Sequence, residues 1–220
     1  MSTLDIIIKY REGLVGGLLV TLQLCLLVWA TGIVVGGALG YFTAHSPITR
    51  WLARFFSFLL CSIPILVLLF WLHYPAQSLL GIVVPPFWTA VIAISLINIF
   101  TVADIVRPVI QQFPTQYLTA ARVYGLSSRS ILTQIQLPLI LRQITPPLLI
   151  SQVTMLQATL FASLISVDEI FRVAQQINAE AYRPVQIYTA LALFFIFICL
   201  PLNAFAFWLQ QRSAHDLSES

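Results

Sequence analysis

The groups in this sequence with chemistry to offer are polar side chains set at helical intervals inside apolar runs. Ser95, Asn98 and Thr101 follow one another at three-residue steps, and Asp104 and Arg107 lie just beyond them. Thr145, Gln152, Thr159 and Ser166 recur every seven residues, close to one face of a helix, with Gln157 beside that line. Amides and hydroxyls bring donors and acceptors but no strong nucleophile, so the chemistry they suit is recognition. They either line a watery path for a polar solute or hydrogen-bond one helix to another. Asp104 and Arg107, three residues apart, are placed for a local ion pair or for a gate.

Other chemistries lack their residues. A phosphate-binding loop needs G-x-x-x-x-G-K-[ST], and the single lysine, Lys9, follows MSTLDIII. Any ATP-driven motor must therefore be another polypeptide, and no cofactor is expected on this chain. Cys25, Cys61 and Cys199 all lie in apolar segments without a C-x-x-C or Cys/His cluster, and read as small packing residues. His45, His73 and His215 are far apart and have no metal-ligand spacing, so no metal site is expected.

The elements that position these groups must sit in lipid. Of the 220 residues 59% are hydrophobic and 9% charged, against about 25% charged in a soluble domain; mean hydropathy is +0.92. The 11 Lys and Arg are scattered, which excludes a nucleic-acid footprint. A crossing helix needs about 20 mostly apolar residues, and five segments qualify: residues 14–42, 55–74, 86–110, 147–165 and 185–209. The first is too long for a signal-peptide core and follows Asp5, Lys9, Arg11 and Glu12, so it is expected to persist in the mature protein. Pro47, Pro85–Pro86, Pro114, Pro146–Pro147 and Pro184 punctuate the expected ends, and Pro64 is expected to kink the second span or to leave a carbonyl free to bond elsewhere. Gly32, Gly36 and Gly40 form a stripe that lets another helix approach, within the chain or across a dimer. Most tryptophans fall near span ends as interface anchors.

Orientation follows from the basic residues. With residues 111–146 inside, Arg50, Arg54, Arg107, Arg122, Arg129, Arg142 and Arg212 are inside and Lys9, Arg11, Arg172 and Arg183 outside. The positive-inside rule then predicts the N-terminus outside and the C-terminus in the cytoplasm.

Residues 111–146 are too polar to span and too long for a plain connection. Two short helices are expected there, over 116–124 and 127–136, bent at Gly125, with Ser127 and Ser128 opening the second. Their exposed faces suit docking into a groove of a partner.

The same residues carry a resemblance. Thr119-Ala120-Ala121, then Gly125, then Ile135-Gln136-Leu137-Pro138 resemble the pattern E-A-A-x3-G-x9-I-x-L-P, with both spacings kept. That pattern marks the coupling loop of importer-type ABC permeases, which seats in a cleft of the ATP-binding subunit. The resemblance runs along nearly the whole chain and points to the polar amino-acid uptake branch (histidine, glutamine, arginine). GLLVTLQLCLL looks like that branch's first span; Asn98, Asp104, Arg107 and Pro114 fall on family-like positions, as do Arg172, Gln175, Arg183 and Pro184. The chain departs from the pattern in three places: Thr119 stands for the leading glutamate, Cys61-Ser62-Ile63-Pro64 for an Arg-Gly-Thr-Pro segment, and Gln157-Ala158 for a Lys–acid pair.

The resulting expectation is an all-α membrane protein, one permease domain over 1–220, with five transmembrane helices and a bent cytoplasmic coupling helix. Thr119, Ala120, Ala121, Gly125, Ile135, Leu137 and Pro138 are expected to couple to the ATPase. Asn98, Gln152, Gln157 and Thr159 are the candidates for the solute path. The resemblance implies an ATP-binding cassette subunit, a second copy or similar permease, and a periplasmic or extracellular substrate-binding protein as partners. Asp168, Glu169 and Arg172 are either a solvated outer face or contacts for that binding protein. The rival reading, an ATP-independent carrier or channel, ordinarily shows an internal repeat, and none is seen here.

Overall fold

The computed structural model describes residues 3–218, with side chains described over 6–212. Asp5 and His215, both named above, lie outside the described side chains. The described elements are helices: α1 (Thr3–Lys9), α2 (Arg11–His45), α3 (Pro47–Ser62), α4 (Ile65–His73), α5 (Pro75–Leu80), α6 (Pro86–Gln111), α7 (Thr115–Val123), α8 (Ser128–Ile165), α9 (Ile170–Ala181) and α10 (Pro184–Ser218). Four of them, α2, α6, α8 and α10, are long and apolar enough to cross a bilayer. The run from α3 to α5 supplies a fifth crossing, broken by a 92° bend.

The side-chain contacts fix the directions. Gly32 lies against Asn98, Gly36 against Ile99 and Val102, and Gly40 against Ala103 and Val106, so α2 and α6 run parallel. A chain that crosses twice in one direction must return in between, and α3–α5 is that return. α8 runs antiparallel to α6, with Met155 packed beside Ile94 and Ile144 beside Val106. α10 runs antiparallel to α8: Cys199 packs with Val153 and Leu156, and Arg142 donates to the Arg212 carbonyl at 3.4 Å. Alternating crossings therefore put the two termini at opposite ends of the bundle. Residues 111–137 share an end with the C-terminal part of α10, called the loop end below.

The glycine stripe closes the α2–α6 contact within the chain. A Cβ on Gly36 would stand 2.5 Å from the Ile99 carbonyl oxygen and 2.9 Å from Val102 Cβ, so any side chain there would push the helices apart. At this level α2 widens into a π turn over Gly32–Gly36.

Two expected boundaries are corrected. The second span does not kink; it breaks. The chain at Ile63 is extended (φ −89°, ψ 124°) because the Pro64 ring disfavours the helical region for the residue before it. The fourth span does not begin at Pro147. α8 starts at Ser128 and continues through Pro138, Pro146 and Pro147, so the second loop helix and the span are one helix. In lipid, helix-breaking residues are tolerated where neighbours hold the backbone, and here Ile140, Ile144 and Leu148 pack on Val102 and Val106 of α6.

Candidate functional site

Three of the four side chains expected on a solute path are enclosed. Asn98 is fully buried, and its amide and that of Gln152 bond reciprocally, Asn98 Nδ2 to Gln152 Oε1 at 3.0 Å and Gln152 Nε2 to Asn98 Oδ1 at 3.1 Å. Asn98 also donates to the Val28 carbonyl at 2.9 Å, a position open only because Gly32 has no side chain. Beside this pair Thr31 donates to Ser95 at 2.8 Å, and the Trp29 indole to the Gln152 carbonyl at 3.0 Å. Trp29 is thus an internal tie between α2 and α8 and not an interface anchor. Thr159 is buried and donates to the Leu156 carbonyl at 2.7 Å within its own helix. Gln157 is different: it is exposed in a groove with Leu160, Phe171, Tyr188, Leu191, Ala192 and Phe195.

Toward the loop end a second polar cluster joins α2, α3 and α6. Arg107, 2% exposed, donates to Asp104 at 2.8 Å and to Thr43 at 2.9 Å, and its Nη2 is buried without a partner. Ser57 of α3 donates to the second oxygen of Asp104. Arg50 donates to the Ala44 carbonyl at 3.0 Å, where the last turn of α2 leaves it free. The ion pair was readable from the Asp104–Arg107 spacing. Ser57 carried no such signal, because its partner lies 47 residues away. Thr43 did: it continues the stripe of Gly32, Gly36 and Gly40 at helical spacing.

The coupling candidates gather at the loop end. α7 presents Thr119 and Ala120 outward and turns Ala121 inward, 4% exposed. Thr119 donates to the Thr115 carbonyl at 3.1 Å, so its hydroxyl is engaged within its own helix. Gly125 follows α7 at φ +76°, the left-handed region, and Ser127 caps α8 by accepting from the Ser130 N–H at 3.2 Å. Leu137 and Pro138 are exposed and Ile135 is half-buried, just after and within the π turn Leu132–Gln136. The sequence reading did not single out Val123 and Tyr124, which are 81% and 86% exposed. Large apolar side chains this open at the polar end of a membrane bundle call for a protein partner.

At the opposite end α9 packs on the start of α2. Here the expectation that Asp168, Glu169 and Arg172 act alike, as a solvated face or as contacts for a binding protein, is corrected for Glu169. Glu169 is fully buried and caps α9, accepting from the Phe171 and Arg172 N–H groups at 2.9 and 2.8 Å. Burial pushes its carboxyl up to about 7, and the two backbone bonds pull the other way. Asp168 and Arg172 stay accessible and pair at 3.1 Å.

With this geometry in view, comparison with known proteins gives one consistent picture. The sequence pattern described as "Binding-protein-dependent transport system inner membrane component" matches residues 32–216. An octopine transport system permease protein of Rhizobium meliloti is 28% identical over 207 residues, 87% of this chain and 84% of that one. A glutamine transport system permease protein of Escherichia coli is 27% identical, covering 90% and 92%. An L-cystine transport system permease protein of Bacillus subtilis is 29% identical, covering 90% and 85%. Among solved structures, a chain of an amino acid ABC transporter crystallised with histidines superposes with a TM-score of 0.82 at 23% identity, covering 96% of this chain and 99% of that one.

Proposed function

From the premise that this chain belongs to the binding-protein-dependent transport system inner membrane components, we propose that it provides part of the path for a polar amino acid or a close relative in an ATP-driven importer. The chain is a multi-pass permease component and not the motor. A separate ATP-binding subunit drives it, this chain binds no cofactor of its own, and a substrate-binding protein delivers the solute. Two permease chains, identical or similar, enclose the path, since one five-helix bundle encloses little. The N-terminus lies outside and the loop end in the cytoplasm, as the arginine distribution favours.

The observation that carries this reading is the loop end. There α7, Gly125 and the start of α8 form the segment that resembles the coupling pattern, with Ala120, Leu137 and Pro138 of that pattern outward and the exposed Val123 and Tyr124 between its fixed positions. The substrate class rests on relatives that carry glutamine, octopine and cystine in their names. Gln157 takes the solute contact, because it presents an amide to an open groove. Asn98 and Gln152 hold α2, α6 and α8 together and Thr159 is buried with its hydroxyl bonded within its own helix, which revises the expectation that all four line the path.

Uptake by the reconstituted complex across a panel of amino acids, sugars and ions tests the class and the residues together. Amino-acid uptake is expected, with Gln157→Leu raising the apparent KM several-fold. Asn98→Leu is expected to leave KM unchanged and to lower stability by about 1 kcal/mol, the scale of a hydrogen bond between membrane helices. Uptake of sugars or ions alone ends the amino-acid reading, and equal KM in both variants ends the role given to Gln157.

A further inference from the structure

Helix α3 is amphipathic in a way the bundle does not explain. Arg50, Arg54, Ser57 and Cys61 recur at four-, three- and four-residue steps and so lie on one flank. Ile48, Leu52, Phe55, Phe56 and Leu59 cover the other side and are exposed, as lipid-facing residues are. On the polar flank Arg50 is tied to the end of α2 and Ser57 to Asp104. Between them Arg54 is exposed and has no hydrogen-bond or ion-pair partner among the described residues, and Cys61 is exposed too.

Depth makes this consequential. Asp104 lies seven residues inside the loop-end terminus of α6 at Gln111, about 10 Å along the helix. Its bond to Ser57 fixes the middle of α3 at the same level. The Asp104 side chain remains 42% exposed there. A short carboxylate at this depth cannot reach the headgroups as a lysine or arginine can, so its open side faces water or protein and not hydrocarbon. Charge gives that open side a sign. The polar flank of α3 carries Arg50 and Arg54 and no carboxylate, while Asp104 is already paired with Arg107, whose Nη2 is buried without a partner.

From this arrangement we infer that the polar flank of α3 and the adjoining face of α6 wall the loop-end half of the solute path, and that Arg54 receives the carboxylate of the passing solute. The inference rests on the permease reading above and adds to it the group recognised at this level, the carboxylate of the solute. Asp104 is offset by Arg107 and does not repel such a solute.

The native thiol Cys61 tests this in the reconstituted complex, with Cys25 and Cys199 replaced by serine. Small membrane-impermeant methanethiosulfonates, one anionic and one cationic, are applied from the loop end. Cys61 is expected to react, and faster with the anionic reagent. Arg54→Gln is expected to remove that preference and to lower carboxylate-solute uptake about tenfold, with Arg54→Lys restoring both. Phe56→Cys, on the opposite flank in a Cys61→Ser background, is expected to stay unlabelled. Equal labelling at the two positions, no labelling of Cys61 in any nucleotide state, or Arg54→Gln without effect on preference and uptake overturns the inference. The first two outcomes place the flank against lipid headgroups or a second permease copy. Loss of ATP-driven uptake in the unmodified complex would instead strike the permease reading itself.

Discussion

Glu169 shows at the residue scale how burial reassigns a side chain that local sequence presents as solvated. It sits in the run Asp168-Glu169-Ile170, yet its carboxylate is enclosed and held by two backbone N–H groups. Because its folded pKa is raised from 4.5 to about 7, the folded protein keeps a proton that the unfolded chain releases across that window. Stability therefore falls as pH rises from about 4.5 to about 7 and is level above it. Glu169→Gln keeps an acceptor for the cap and is expected to flatten this dependence, as read from thermal unfolding at about pH 5 and about pH 8. An unchanged slope in the variant would remove Glu169 as its source. Polar residues inside the spans were visible in the sequence because they interrupt apolar runs. Their partners were not, since Asn98 and Gln152 are 54 residues apart and meet only once α6 and α8 are antiparallel.

For the helices, what was legible followed solvent and what was missed followed proline. Long apolar runs marked α2, α6 and α10 because lipid demands them, and Gly125 with Ser127 marked the turn between α7 and α8. Proline acts in opposite directions at two places. Pro64, where the sequence predicts a kink, breaks the chain. Pro146 and Pro147, where it predicts a helix boundary, lie within α8, where packing on α6 holds the backbone. The continuity of α8 matters for function, because one helix then runs from the turn after Gly125 into the middle of the bundle. On the proposed function, displacement of α7 and the start of α8 would be carried into the spans as a rigid movement. Gly125→Val tests that transmission. A Cβ there meets nothing within 4 Å, so the cost is the left-handed backbone and not crowding. Insertion in the membrane is expected to be normal, with transport per ATP hydrolysed reduced roughly tenfold, the equivalent of about 1.4 kcal/mol. Wild-type coupling in the purified variant complex would show that the turn transmits nothing.

Taken as a whole molecule, the chain is a bundle with two functional ends and a path that it encloses only in part. The alternating run of five crossings places the termini apart, and the orientation proposed above, with the loop end in the cytoplasm, follows the arginine pattern. Thiols placed at Tyr124 and Tyr182, 86% and 84% exposed, separate the alternatives. With Cys25, Cys61 and Cys199 replaced by serine, impermeant reagents are expected to reach Tyr124→Cys only from the cytoplasm and Tyr182→Cys only from outside, and the reverse pattern would invert the assignment. On the proposed function this chain carries the path while another subunit supplies the power through the loop end. Gentle solubilisation of native membranes, followed by purification on this chain, is the decisive experiment. An ATP-hydrolysing subunit is expected in a one-to-one ratio with the chain, lost when Val123 and Tyr124 are both replaced by aspartate. A chain that purifies without an ATPase and still moves solute in its absence would contradict the proposed function.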